Sequence, residues 1–405
     1  MRQIARSRWA ALTGVAVVGA LALSACSSSS TSSESSSAAA VATSAAAAAS
    51  SAAPASAAPA SSAAPAAAEC TTPAPVKLQL QWVAQAQFAG YYAAKEKGYY
   101  KDQCLDVTIL EGGVDIVPQT VLAQGGADFA ISWVPKALAS REQGANITDV
   151  AQVFQRSGTR QVSFVDKNIK TAADFKGKKI GNWGFGNEYE LFAAITKAGL
   201  DPAADVELVQ QQFDMQALLN GDIDAAEAMT YNEYAQVLEA TNPATGELYK
   251  PEDLNVINWN DVRSAMLQDA IFARDAWLKE GNNHDVAVRF VRASLKGWIY
   301  CRDNPADCVK YTTDAGSQLG AGHQNWMMNE VNALIWPSTG GVGVLDPIAW
   351  NQTVQVAKGA GIIKQDPSTG AYDATIAAEA LKGIEGDTKA ESFTKGTVEV
   401  TPGGN

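Results

Sequence analysis

Two histidines, His284 and His323, are all that the 405 residues contain. Neither sits at a spacing that metal ligands use, so a metal site or a histidine-assisted nucleophile finds no support. Basic residues are also scarce: 31 Lys and Arg face 43 Asp and Glu, a formal net charge of −12. So acidic a chain lacks the footprint of a nucleic-acid binder. After the N-terminal segment, no stretch approaches the roughly eighteen apolar residues of a membrane span. The five cysteines include no CxxxC-like cluster with neighbouring histidines, so the pattern of a cysteine-ligated iron site is missing.

What is present starts with an export signal. Arg2, Arg6 and Arg8 precede the apolar run ALTGVAVVGALALSA, and Leu23-Ser24-Ala25-Cys26 follows. The run is too short and wrongly flanked for a membrane helix, and residues 1–25 read as a secretory signal. The Leu-Ser-Ala-Cys ending resembles the lipobox of bacterial lipoproteins, which implies that Cys26 is lipidated and becomes the first residue. Residues 26–69 are almost wholly Ser, Ala and Pro. They hold no apolar set able to bury a core and read as a tether. Its root-mean-square reach is roughly 35–40 Å. The folded part is therefore expected outside the cell, anchored to the outer face of the membrane.

In an exported chain the four remaining cysteines favour disulfides over metal ligands. Asn304-Pro305 breaks any helix between Cys301 and Cys308 and lets the chain fold back, which favours that pair. Cys70 with Cys104 follows by elimination.

From about Cys70 onward the pattern alternates. VKLQLQW (76–82), LDVTIL (105–110), ADFAISW (127–133), DVAQVF (149–154) and QVSFV (161–165) read as strands, with helical segments between several of them. KKIGNW, VELVQ and IDAAEAMTY repeat the style, and NVINW and LQDAIFAR precede a mostly helical remainder. Such alternation predicts an α/β fold with mixed, mostly parallel sheets flanked by helices. Two lobes are expected, 70–166 with 264–405 and 167–263 between them, crossing near 165–171 and 261–267. Ligands in such folds sit in the crevice at strand carboxyl ends.

Large aromatics fall at those ends: Trp82, Trp133, Trp183, Tyr231 and Trp259. Faces set across a cleft clamp a flat ring by stacking. Amides and acids accompany them, with Gln81, Gln85 and Gln87 around Trp82, and Asn232-Glu233 after Tyr231. The loop GNWGFGNEYE (181–190) places three glycines at a strand-to-helix junction, as phosphate loops do. Acids follow at once, however. Asn187 and Glu190 fit a capping box, and Glu188 falls where the helix dipole favours a carboxylate. The loop is expected to seat a ring with N–H groups to donate, touching Phe185, Asn187 and Glu188. The lining suits a neutral or weakly cationic heterocycle, with no cluster of cations for an anion. Arg156 and Arg160 are expected in surface or interlobe pairs.

LQLQWVAQAQFAGYYAAKEKGYYKDQCLDVTILEGG (78–113) is similar to the opening of type II solute-binding proteins that feed ABC importers. GGADFAISW, TAADFKGKKIG and GDIDAAEAMTYNEY extend the resemblance over about 76–365. It points to the group that binds thiamine pyrimidine precursors, riboflavin or alkanesulfonates. The resemblance implies a periplasmic-binding-protein type II fold, a monomer with no catalytic residue, metal or cofactor, and an ABC permease and ATPase as partners. The ligand contacts it implies fall at Trp82 with its glutamines, Trp133, Gly184–Glu188 and Tyr231–Glu233. Pyrimidine-binding members carry an Asn and a His soon after the first-strand Trp. Here VAQAQFAG stands instead, which leaves room for a larger ring such as a flavin. The same fold occurs in pyrimidine synthases that consume their own histidine, but their cysteine-rich iron motif is missing from this sequence.

Overall fold

Strand β2 (Leu105–Leu110) buries Leu105 and Val107 while exposing Asp106 and Thr108, the period-two pattern of an edge strand with one face on a core. β3 (Phe129–Trp133) is buried throughout, as a strand covered on both faces must be. With β1 (Ala74–Gln79) and β4 (Ile147–Gln152), these belong to a computed structural model that describes residues 70–405. The export signal, Cys26 and the tether lie outside the described residues. β10 (Asp269–Arg274) completes a five-stranded sheet in the order β2-β1-β3-β10-β4. β1 runs parallel to β2 and β3, whereas β10 is antiparallel to β3 and β4 because it re-enters from the opposite direction.

The second group of strands holds β5 (Thr159–Phe164) between β8 (Ala226–Met229) and β9 (Leu254–Asn258), antiparallel to both. β6 (Lys179–Asn182) runs parallel to β7 (Glu207–Gln210), and an Ile180–Ala225 bridge ties β6 to the approach of β8. The sequence boundary at 166 falls after β5, yet β5 pairs only with β8 and β9. The chain therefore leaves the first sheet at 153–158 and returns at 259–268. A strand's own residues do not state which sheet accepts its hydrogen bonds, so the first crossing was legible only one loop too late.

The two crossings are bonded to each other. Asn260 Nδ2 donates to Ser157 O at 2.9 Å, and Gly158 N donates to Gln268 Oε1 at 2.7 Å.

The long helix Asn283–Asp303 covers the first sheet and packs on the helix Ala89–Glu96. Glycine is required where they cross: a Cβ on Gly297 would lie 1.9 Å from Gly90 O. This close approach fixes the start of the Ala89–Glu96 helix, and with it the Trp82–Phe88 loop. Phe129 and Phe290 stack beneath, with centroids 4.1 Å apart. Cys70–Cys104 ties the first described residue to the start of β2, and Cys301–Cys308 joins two helices across Asn304. Among the described residues no helix is long and apolar enough to cross a membrane.

Candidate functional site

The carboxyl ends of β1, β3, β6, β7 and β8 converge on one cleft of about 850 Å³, counting the part open to solvent. Gln81, Trp82 and Gln87 line it just past β1, and Trp133 does so at the end of β3. From the second group come Trp183, Phe185 and Asn187 after β6, and Tyr231, Asn232 and Glu233 after β8. Ten of the twelve residues that sequence reasoning selected thus share one wall or the other.

The remaining two do not. Trp259 is fully buried, packed with Ile169, Phe175 and Ile180 beneath the second group of strands. Its strand end turns inward as the chain starts its return crossing, so its ring serves the core. Glu188 does not line the cleft either. It stands at the N-cap of the helix Tyr189–Lys197, with Oε2 buried and unpartnered.

The capping box does not form. Asn187 donates to Gly184 O at 2.8 Å, while Glu190 turns into the protein and is 3% exposed. It accepts from Ser157 Oγ at 2.7 Å and from the Met266 N–H, one donor from each crossing. Burial pushes its carboxyl up to about 7, opposed by the Met266 and Ser157 bonds and by Arg160. Gly184, Phe185 and Gly186 all have positive φ, and the turn they make throws Phe185 out to 71% exposure at the cleft mouth. Arg156 and Arg160 are not cleft cations. They donate to the backbone carbonyls of Pro337 and Thr159 among others.

Trp133 and the glutamines beside it are held in place from behind. Trp133 Nε1 donates to Asp269 Oδ1 at 2.8 Å, Gln81 donates to the same oxygen at 2.6 Å, and Gln87 donates to Oδ2 at 2.9 Å. Asp269 thereby fixes one indole and two amides from behind the wall. Burial raises it to about 7, with those hydrogen bonds pulling the other way. On the far wall Glu233 accepts from Asn232 Nδ2 and from Met229 N, both at 2.9 Å, and burial raises it likewise to about 7. His323 stands behind, with Nδ1 on Glu239 at 2.8 Å and Nε2 on Asn232 Oδ1 at 3.0 Å.

Sequence reasoning missed Met229, six residues of the segment Gly113–Gln119, and two side chains with distinct chemistry, Phe213 and Lys136. Phe213, a lone aromatic in QQQFD after β7, sits 4.7 Å from Trp82 and 6.1 Å from Trp183, with its plane nearly parallel to the latter at 11°. Lys136 lies three positions past Trp133 in the helix that follows β3. Its Nζ donates to Asn187 Oδ1 at 2.6 Å and lies 4.8 Å from the Trp133 ring centre. The rule that strand ends carry the site would have found Lys136, since it occupies the next helical turn. Among the described residues no group of His, Cys, Asp and Glu is arranged to hold a metal.

A family model described as NMT1/THI5 like matches residues 85–308. The chain belongs to the NMT1/THI5-like family. Similar to this family member is the riboflavin-binding protein RibY of Chloroflexus aurantiacus, 26% identical over 74% of this chain and 87% of RibY. The formylaminopyrimidine-binding protein of Halalkalibacterium halodurans is 24% identical over 58% of this chain and 68% of its own. Matches also include an Aspergillus parasiticus protein named 4-amino-5-hydroxymethyl-2-methylpyrimidine phosphate synthase, 23% identical over 59% of this chain and 70% of its own. Among solved structures, the periplasmic aliphatic sulphonate binding protein SsuA of Escherichia coli superposes with a TM-score of 0.55. It is 16% identical and covers 78% of this chain and 95% of SsuA. The fold is that of periplasmic binding proteins.

Proposed function

We propose that this NMT1/THI5-like protein is an extracytoplasmic, lipid-anchored solute-binding protein. It captures a small planar heterocycle by hinge closure and delivers it to an ABC importer. One observation carries the reading: aromatic rings from both walls, Trp82 on one side and Phe213 with Trp183 on the other, meet around a single cleft. The binding-protein names of RibY and the formylaminopyrimidine relative support it. The lobes would move about the crossings 153–158 and 259–268, and a ligand touching both walls favours the closed state by its differential affinity.

A flavin is the second ligand reading beside a thiamine pyrimidine precursor, favoured by Gln85 and Gln87 where pyrimidine binders carry Asn and His. A ligand-sensing lipoprotein is a second role. A synthase is disfavoured, because the iron motif is missing from the sequence. His323 supports this as well, being engaged by Glu239 and Asn232 away from the cleft surface. Mass spectrometry of small molecules released from the purified, denatured full chain is expected to show such a heterocycle. Small-angle scattering is expected to show a smaller radius of gyration on adding it. A protein that releases none and responds to neither pyrimidines nor flavins would overturn the proposal.

A further inference from the structure

Three charged side chains bear on the cleft, and two of them are already engaged. Both oxygens of Glu233 accept protein donors, Asn232 Nδ2 and Met229 N. Both oxygens of Asp269 do the same for Gln81, Trp133 and Gln87. Of roughly four acceptor sites on each carboxylate, Glu233 has two in use and Asp269 three. Lys136 is different. Its ammonium carries three donors, and one contact accounts for a single one, the bond to Asn187 Oδ1. Among the described residues no ion pair involves Lys136.

Its position also matters. Lys136 belongs to the first wall and Asn187 to the second, so the bond between them crosses the seam and both residues line the cleft. The nitrogen lies within reach of the Trp133 ring, so an acceptor bound to it sits beside an aromatic surface. The charge around it selects further. The carboxyls of Glu188, Glu227 and Asp269 all act on Lys136, and Glu188 Oε2 and Glu227 Oε1 are buried without partners. A sulfonate or phosphate entering here meets Glu188, while burial raises Glu227 and Asp269 toward their neutral forms; a neutral carbonyl carries no net charge to be repelled.

Building on the proposed heterocycle-binding role, we infer that Lys136 determines ligand specificity by donating to a ring carbonyl. The ligand class is then an oxo-substituted planar ring, of which the two-carbonyl edge of a flavin is an example. Aminopyrimidines, sulfonates and phosphates are selected against. This inverts the expectation drawn from GNWGFGNEYE alone: neither acid of that loop lines the cleft, and the charged donor there is Lys136.

The test uses the purified full chain and three probes: riboflavin, 4-amino-5-hydroxymethyl-2-methylpyrimidine and hexanesulfonate. Calorimetry on the wild type is expected to give riboflavin at least tenfold tighter binding than either other probe. Lys136→Met is expected to weaken riboflavin binding at least tenfold, with Lys136→Arg recovering part of the loss. Circular dichroism checks that both variants fold, and if neither does, the wild-type order of the three probes decides. Tighter binding of the aminopyrimidine or the sulfonate, or full riboflavin affinity in a folded Lys136→Met, overturns the assignment of Lys136 while leaving a heterocycle-binding role standing. Binding of none of the planar rings overturns both.

Discussion

Trp82 and Phe213 face each other across the cleft with ring centres 4.7 Å apart and planes tilted by 47°. One belongs to the loop after β1, the other to the loop after β7, so this contact exists only when the two walls are together. A planar ligand entering the seam must exchange it for ring-on-ring contacts of its own, each contributing about 0.5–1.5 kcal/mol beyond buried area. Trp82→Ala and Phe213→Ala are each expected to weaken heterocycle binding about tenfold, or ~1.4 kcal/mol. Trp259→Phe is expected to leave affinity unchanged. Tryptophan fluorescence titration reads all three, and equal affinities throughout would remove the stacking account.

Binding of an oxo ring is expected to weaken above about pH 8. Burial pushes the Lys136 ammonium down to about 8, opposed by Glu188, Glu227 and Asp269. An acceptor on the nitrogen favours the charged form, so its contribution to affinity is present below that pH and lost above it. Riboflavin affinity measured from pH 6.5 to 9.5 checks this, with Lys136→Met as the reference that keeps the Glu233 and Asp269 titrations near 7 and lacks the step near 8.

Glu190 binds both crossings through Ser157 and Met266. Glu190→Ala leaves the Met266 N–H without its partner, at a cost of about 1–3 kcal/mol. Urea denaturation is expected to show a loss of that size, and Glu190→Gln, which keeps one acceptor, a smaller one. An unchanged midpoint in the alanine variant would show that this carboxyl does not tie the crossings together.

Four buried carboxyls, Asp149, Glu190, Glu233 and Asp269, are raised, Asp149 to about 8 and the others to about 7, with burial the leading cause each time. Their folded values exceed those of unfolded carboxyls, about 4. Their contribution to stability is thus full below about pH 4 and is lost as pH rises through 7–8. Denaturation midpoints are expected to fall between pH 5 and pH 8. Asp149 Oδ2 has no partner, so Asp149→Asn is expected to make the upper part of that fall shallower.

Cys70 and Cys104 lie 34 residues apart, Cys301 and Cys308 only 7. Loop-closure entropy then assigns about 3–4 kcal/mol to the first bond and about 2–3 to the second. Paired Ser variants compared by thermal denaturation check the order. A larger loss at Cys301–Cys308 would mean that helix packing, and not chain entropy, sets the cost.

The sequence by itself determined the α/β class, which segments form strands and ten of the cleft residues, because strand periodicity is local and ligand sites in such folds follow strand ends. It also placed aromatics and amides at those ends. Tertiary structure decided which strand end faces outward and which inward, separating Trp133 from Trp259 although both close a strand in the same way. It gave β5 to the second group of strands, carried Glu190 from an expected helix cap to the crossings, and joined Lys136 to Asn187 across 51 residues of sequence. Donor and acceptor balance in a cleft depends on which groups the fold has already satisfied. GNWGFGNEYE holds the acids, but only the Ser157 and Met266 donors elsewhere in the chain draw Glu190 away from the helix end and the cleft.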